Sequence, residues 1–279
     1  MLKIGRYEAN ELDIEDYHGC KESISRTKIM TYDKCPRKYQ AQYVTGEIVK
    51  EVTKPMILGS AFHTYILEPE LFYNRYATLS AGLDRRTKQG KLELAEIEMA
   101  GKTPLDLEMM ETLISMKHAL ASHAEAAALI WGGSPVFERS YIYGDDGSGL
   151  VIKSRPDILR PNCIVDLKTC YKGDEFNFSR SMLENGNHIQ GAMAQDALHI
   201  VDGREDALSL PVVNIAIETT APHCIGIYFI SQDAIQAGRT RYKAVLKRMK
   251  ASFESGHYPS YETKEIGLPA WYSLVDDEL

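Results

Sequence analysis

The stretch RPDILRPNCIVDLKTC, residues 155–170, constrains the fold of this chain more than any other. Its apolar, β-branched residues read as buried strands, yet it carries Asp157, Asp166 and Lys168. Burying charge is costly unless the charges pair or hold a metal ion. In CIVDLKT the two-residue period of a strand puts Asp166 and Lys168 on one face and Leu167 on the other. Asp157, after Pro156, ends the preceding strand. If the two strands are neighbours, the three polar groups converge. Such a set fits a divalent-metal site, where carboxylates bind the ion and lysine orients water for phosphodiester hydrolysis. It equally fits a buried structural ion pair. An acid-x-Lys triplet alone is weak, since Glu262-Thr263-Lys264 repeats it elsewhere.

The surrounding pattern predicts an α/β (α+β) fold with a central mixed sheet flanked by helices. Ser25 is placed to cap a helix running through RTKIMTYDKCPRKYQAQYV. GSAFHTYIL, residues 59–67, reads as a short helix ended by EPE, and residues 80–102 as a loop plus an exposed helix. Thr103-Pro104-Leu105-Asp106 reads as a helix start with Thr103 as the cap. Met109, Leu113, Met116, Leu120, Ala124 and Ala127 then form one apolar stripe. PVFERSYIY, GDDGSG and LVIKSRPDIL predict a β-hairpin. CIVDLKT, NIAIE and CIGIYFI are further strands, with a polar helical region at 174–200 between the first two. Ser231 caps a last helix ending near Gly256. We expect one domain over residues 1–279, with a peripheral segment at 1–22 and a catalytic core at about 56–255.

The net charge of −7 excludes a surface coated in basic charge, but a local basic groove suffices for nucleic acid. Arg26, Lys28, Lys34, Arg37 and Lys38 crowd the first helix, as a solvated face or as phosphate contacts. Arg239, Arg241, Lys243, Lys247, Arg248 and Lys250 wrap around the last helix and read as a solvated exterior. His118, His123 and Glu125 fit no common ligand spacing. The five cysteines contain no CxxC pair and suggest reduced thiols. No apolar run approaches the ~20 residues that span a bilayer, and the N-terminus lacks the apolar core of a signal peptide. A cytoplasmic location and no membrane partner are expected.

With Pro156-Asp157 and Asp166-Leu167-Lys168 in place, the chain resembles the PD-(D/E)xK nuclease superfamily, and more narrowly the RecE (exonuclease VIII) family. LGSAFHTYILEPELFYNRY at 58–76 is similar to a family block with a helical histidine. FERSYIYGDDGSGLVIKSRPDIL matches the layout of a glutamate-bearing strand, a turn and the R-P-D strand. HIQGAMAQDAL at 188–198 resembles the family's glutamine helix, and LPAW at 268–271 its C-terminal end. The resemblance implies Asp157, Asp166, His63 and Glu138 as metal ligands and Lys168 as the residue that polarises water. It implies Gln190 as support for the site or contact for the DNA end. Taken alone, His63 also reads as a core histidine, Glu138 as a surface hairpin charge and Gln190 as a solvent-facing polar residue. Arg155, in the R-P-D strand, joins Arg26, Lys28, Lys34, Arg37 and Lys38 as a candidate DNA contact. One position departs from the family: its tyrosine four residues after the glutamine is Ala194 here.

The resemblance further implies a Mg²⁺-dependent exonuclease, with Mn²⁺ able to substitute. It would degrade one strand of linear duplex DNA 5′→3′ and leave a 3′ overhang. Double-stranded DNA ends, a single-strand annealing protein and a homo-oligomeric ring are the implied partners. CPRKY at 35–39 is similar to a segment that ligates an iron–sulfur cluster in RecB-like nucleases. After residue 170 only Cys224 remains, so no such cluster is expected. Two other readings stay open: a RecB-like endonuclease or flap nuclease without the cluster, and a catalytically quiet DNA-end binder.

Overall fold

The computed structural model describes residues 2–84 and 86–268. In chain order it contains β1 Gly5–Tyr7, α1 Ile14–Gly19, α2 Arg26–Lys34, α3 Pro36–Tyr39, α4 Lys54–Leu67, α5 Pro69–Arg75, β2 Tyr76–Thr78, α6 Lys88–Met99 and β3 Thr103–Leu105. There follow α7 Leu107–Ser122, α8 Ala124–Trp131, β4 Val136–Phe137, β5 Ser140–Gly144, β6 Val151–Ser154, β7 Ile158–Leu159 and β8 Ile164–Cys170. The chain closes with α9 Glu175–Asn185, α10 Asn187–Asp202, β9 Val212–Glu218, β10 Ile225–Ile230 and α11 Gln232–Ser255.

The central sheet runs β10-β9-β8-β7-β4; β8 and β9 are parallel and the other pairs antiparallel. Alternation along its strands divides the core in two. Leu159, Ile164 and Val212 pack with α2, α10 and α11. Ile158, Val165, Leu167, Val213 and Ile215 pack with α4, α7 and α8. Helices on both faces explain why these strands read as nearly continuous apolar runs. A second sheet, β1-β5-β6, stands beside the first, with β1 at its edge.

Several boundaries differ from the sequence expectation. The helix capped by Ser25 stops at Lys34, because Cys35 precedes Pro36 and is forced to extended backbone (φ −167, ψ 111). The 59–67 helix begins earlier, at Lys54, with Pro55 in its first turn. Thr103 lies in a strand paired with β2, and Asp106 caps α7 by accepting the Met109 N–H at 2.9 Å. Aspartate caps better than threonine, and Thr103 is held extended by the following proline. The apolar stripe breaks at His123, whose Nδ1 accepts the Ala126 N–H at 3.2 Å. The buried positions then become Ala126 and Ile130 rather than Ala124 and Ala127. Ser231 and Gly256 bound α11 as expected.

The polar region at 174–200 contains α10, which lies in the core. Its polar residues are paired inward. Asp196 accepts from Arg239 at 2.7 Å and from the Tyr242 hydroxyl, and Gln195 donates to the Leu210 carbonyl at 2.7 Å. Asp33 holds Arg241 and Arg248, tying α2 to α11. So part of the basic α11 surface latches helices together.

Helices α10 and α11 approach closely at Gly238. A Cβ there would stand 2.7 Å from the His188 carbonyl oxygen, a backbone atom that moves only with its helix. Gly238→Ala is expected to cost about 1–3 kcal/mol through overpacking. The urea midpoint should fall with the slope unchanged; an unchanged midpoint would show the helices free to separate.

Candidate active site

The site grows from a bend in the long hairpin. Val136 lies opposite Leu159, and Tyr141 opposite Ser154. Carried across, this register sets Glu138 opposite Asp157, and the Glu138 N–H does donate to the Asp157 carbonyl at 3.0 Å. Regular pairing fails there: Pro156 has no N–H, and Glu138 adopts φ 49 in the left-handed region. The hairpin bends, and its two halves join different sheets. Such irregularities re-aim side chains. Glu138 and Asp157 leave the bend together. Arg155 fixes it, its Nε donating to the Glu138 carbonyl at 2.9 Å and lying 3.1 Å from Glu138 Oε2. Its guanidinium lies over the Tyr17 ring, 5.4 Å from the centroid.

His63 arrives from α4, whose Phe62 and Ile66 anchor it in the core. One ligand atom each from His63, Glu138 and Asp157 lies within 4.8 Å of the others. His63 Nδ1 is 3.5 Å from Asp157 Oδ2, which also accepts the Leu167 N–H at 2.7 Å. Asp166 and Lys168 share one face of β8, as the alternation requires. Asp166 Oδ1 accepts from Gln190 Nε2 at 2.7 Å, and Lys168 Nζ donates to Gln190 Oε1 at 3.1 Å. Asp166 Oδ2 is ion-paired with Lys168 Nζ at 2.5 Å. Gln190 therefore braces both, and Asp166 stands next to the three-ligand group without belonging to it.

The electrostatics fit a cation. Burial raises the Glu138 pKa well above normal; Asp157 adds to this and Arg155 opposes it. Burial also raises Asp157, with Asp166 adding and His63, Lys168 and the Leu167 N–H opposing. Crowded, partly buried carboxylates disfavour their own charge until a positive ion joins them. Two carboxylates and an imidazole suit a divalent ion such as Mn²⁺ or Mg²⁺, oxygen donors favouring Mg²⁺.

The group lines a cavity of about 830 Å³. Of the candidate DNA contacts, Arg26, Lys28 and Arg155 line it, whereas Lys34, Arg37 and Lys38 do not. Lys28 is turned onto the carbonyls of Lys21 and Ser23, at 2.5 and 2.9 Å. Arg37 pairs with Glu47 at 2.9 Å, and Lys38 lies over Tyr261. Arg155 is a buried pin for the bend as well as a cavity residue. Sequence reasoning missed three contributors. Glu68 and Arg75, 2.6 Å apart, line the cavity beside Glu138. Lys153 lines it too, with Nζ 2.5 Å from the Tyr17 carbonyl. The position before Pro69, where one helix ends and the next begins, was the available signal for Glu68.

Ala194 is 2% exposed and packs in the core against the sheet, away from the large cavity. Tyr17, Tyr43, Tyr76 and Phe178 supply the aromatic surface of that cavity. Of the LPAW resemblance, residues 269–271 lie outside the described residues. Among the described residues no helix is long and apolar enough to cross a membrane.

A family model described as "PDDEXK-like domain of unknown function (DUF3799)" matches residues 23–266. No curated protein matches the chain. Among solved structures, a Eubacterium rectale protein named "Putative exonuclease" superposes with a TM-score of 0.62 at 17% identity. The alignment covers 92% of this chain and 96% of that one. A second structure, SSO0001, covers 80% of this chain and 76% of that one at 13% identity. Its TM-score is 0.36. The bent hairpin, the strand bearing Asp166 and Lys168, and the match from residue 23 to 266 agree: the chain belongs to the PDDEXK-like domain family and has its nuclease-type fold.

Proposed function

We propose that this chain is a divalent-metal-dependent exonuclease that degrades one strand of linear duplex DNA, 5′→3′ from an end, leaving a 3′ overhang. The observation that carries the reading is the meeting of His63, Glu138 and Asp157 beside the braced Asp166–Lys168 pair, inside a cavity open to solvent. Mg²⁺ is the proposed ion, with Mn²⁺ as substitute. When bound, it supplies Lewis-acid stabilisation of charge on the phosphate. His63, Glu138 and Asp157 would hold it, with Asp166 beside them and paired to Lys168. Lys168 orients and polarises the attacking water, its Nζ fixed by Asp166 and Gln190. Gln190 positions both partners. Arg155 keeps Glu138 at the bend and so acts through it. Polarity, a ring assembly around DNA and a single-strand annealing partner rest on the resemblance to the RecE family.

The experiment is digestion of a linear duplex labelled at the 5′ or the 3′ end, with Mg²⁺, beside Lys168→Ala. Early release of 5′ label as mononucleotide by the wild type alone is expected. Cleavage of covalently closed circles would instead favour a RecB-like endonuclease. Bound ends with no digestion would leave an end-binding protein.

A further inference from the structure

The central sheet ends in two unlike edges. Strand β4 is short, Val136–Phe137, which protects its edge from pairing. Strand β10 reads IGIYFI, and from Cys224 to Ser231 the chain carries no charge and no proline. Its register with β9 is unbroken from Ile225 to Ile230, so no bulge twists it away. Charge, proline, bulges and shortness are the usual defences of an edge, and β10 has none of them.

The hydrogen-bond pattern fixes which groups face outward. The Glu218 N–H donates to the Cys224 carbonyl at 3.0 Å, in register with Ile225 opposite Ile217. Bonded pairs alternate along an antiparallel ladder. Gly226, Tyr228 and Ile230 therefore bond to β9, and the N–H and C=O groups of Ile225, Ile227 and Phe229 point away from the sheet. Among the described residues no further strand and no loop meets those groups. Such an edge templates another extended chain.

The side chains fit a second β10. Alternation puts Ile225, Ile227 and Phe229 on one face. Ile225 and Ile227 pack on the core there, while Phe229 is 62% exposed. Laid antiparallel about Ile227, two copies set Ile227 opposite the partner's Ile227 and Phe229 opposite the partner's Ile225. Aromatic against β-branched is a stabilising cross-strand pair. The same register gives every outward donor an acceptor on the other copy, and an uncharged strand brings no like charges together.

We propose that β10 is a dimerisation edge: two copies of this chain pair their β10 strands antiparallel about a two-fold axis at Ile227 and join their central sheets. The contact is isologous and closes at two copies, so it is independent of the head-to-tail contacts that a ring requires. It also lies one ring from the candidate active site. Tyr228 stacks on Phe178 with centroids 4.8 Å apart, and Phe178 lines the cavity. The Tyr228 hydroxyl donates to the Gly173 carbonyl at 2.5 Å, and the exposed Tyr171 and Phe176 on either side of Gly173 add apolar surface beside the edge.

The test is sedimentation equilibrium of the full chain in chelator, without DNA, over a range of concentrations. A reversible dimer is expected for the wild type. Phe229→Lys should weaken it about tenfold or more, because it sets a charge in the pairing face. Phe229→Pro removes an outward N–H without breaking a bond to β9, and should act the same way. Hydrogen exchange on the wild type needs no variant: the amides of Ile225, Ile227 and Phe229 should be protected in the dimer and exchange freely on dilution. A wild type that stays monomeric at every concentration overturns the proposal. So does association that both variants leave unchanged, which would use another surface. Protection of the three amides that persists in the monomer overturns it too, because the chain would then cover its own edge.

Discussion

Lys168→Ala is expected to lower the rate of linear-duplex cleavage by about 10³-fold, within the range for a group that moves or orients a proton in the transition state. DNA affinity should change by less than about threefold, since one partly buried lysine adds little to the phosphate contacts of a whole groove. The reason is geometric. Lys168 Nζ has two fixed partners, Asp166 Oδ2 at 2.5 Å and Gln190 Oε1 at 3.1 Å, and it lines the cavity. A structural lysine would be held the same way, so rate and stability must be read together. If the pair is only structural, alanine leaves a buried aspartate short of its counter-ion, and stability falls while the rate holds. If it is catalytic, the rate collapses under conditions where the protein is still folded. Gln190→Ala should lie between, with a loss of roughly tenfold, because Gln190 acts through the two residues it braces. Single-turnover rates on an end-labelled duplex, beside thermal melts of the same samples, separate these outcomes.

The strand face of this site was legible because strand alternation is rigid. Asp166 and Lys168 must share a face, and Leu167 must enter the opposite core, as it does. The bend was not legible. PVFERSYIY reads as one strand, yet the chain turns at Glu138 with φ 49 and no glycine or asparagine marks the place. The only local hint was Pro156 on the opposite strand. A tertiary demand, pinned by Arg155, overrides the backbone preference of Glu138 at that point.

The polar character of α10 misled for a related reason. Hydropathy scores each polar residue as surface, but Gln190, Gln195 and Asp196 each meet partners more than a dozen residues away. Satisfied polar groups can be buried, and only the fold reveals the satisfaction. The basic helix faces divided likewise. Arg26 enters the cavity while Arg37 pairs outside it with Glu47. A count of positive charge over the expected helix could not separate them, because α2 ends at Lys34 and the later residues belong to α3.

Asp157→Asn is expected to abolish cleavage and to raise the stability of the metal-free protein, an unusual pairing for a buried substitution. The side-chain amide oxygen can still accept the Leu167 N–H, so the brace to β8 is kept. What disappears is one negative charge from a buried group that holds Glu138 and borders Asp166. Both Glu138 and Asp157 have raised pKa values in the folded chain. Between the ordinary carboxylate pKa of about 4 and those raised values, the folded state holds more protons than the unfolded one. Stability is therefore greatest on the acid side of that window and is lost as pH rises through it. A divalent ion reverses the sign, because it binds the ionised carboxylates of the folded state. The wild type should then melt at lower temperature as pH rises from 5 to 8 in chelator, and added Mn²⁺ should raise the melting temperature most at the upper end. In Asp157→Asn the melting temperature without metal should be a few degrees higher at pH 8, the scale of about 1 kcal/mol in a chain this long. Its pH slope should be shallower and the Mn²⁺ shift mostly gone. A variant that keeps the full Mn²⁺ shift would place the ion away from Asp157 and dissolve the three-ligand centre. A variant less stable than wild type in chelator would show that Asp157 serves as a paired structural charge, and that repulsion among these carboxylates is not what the fold tolerates there.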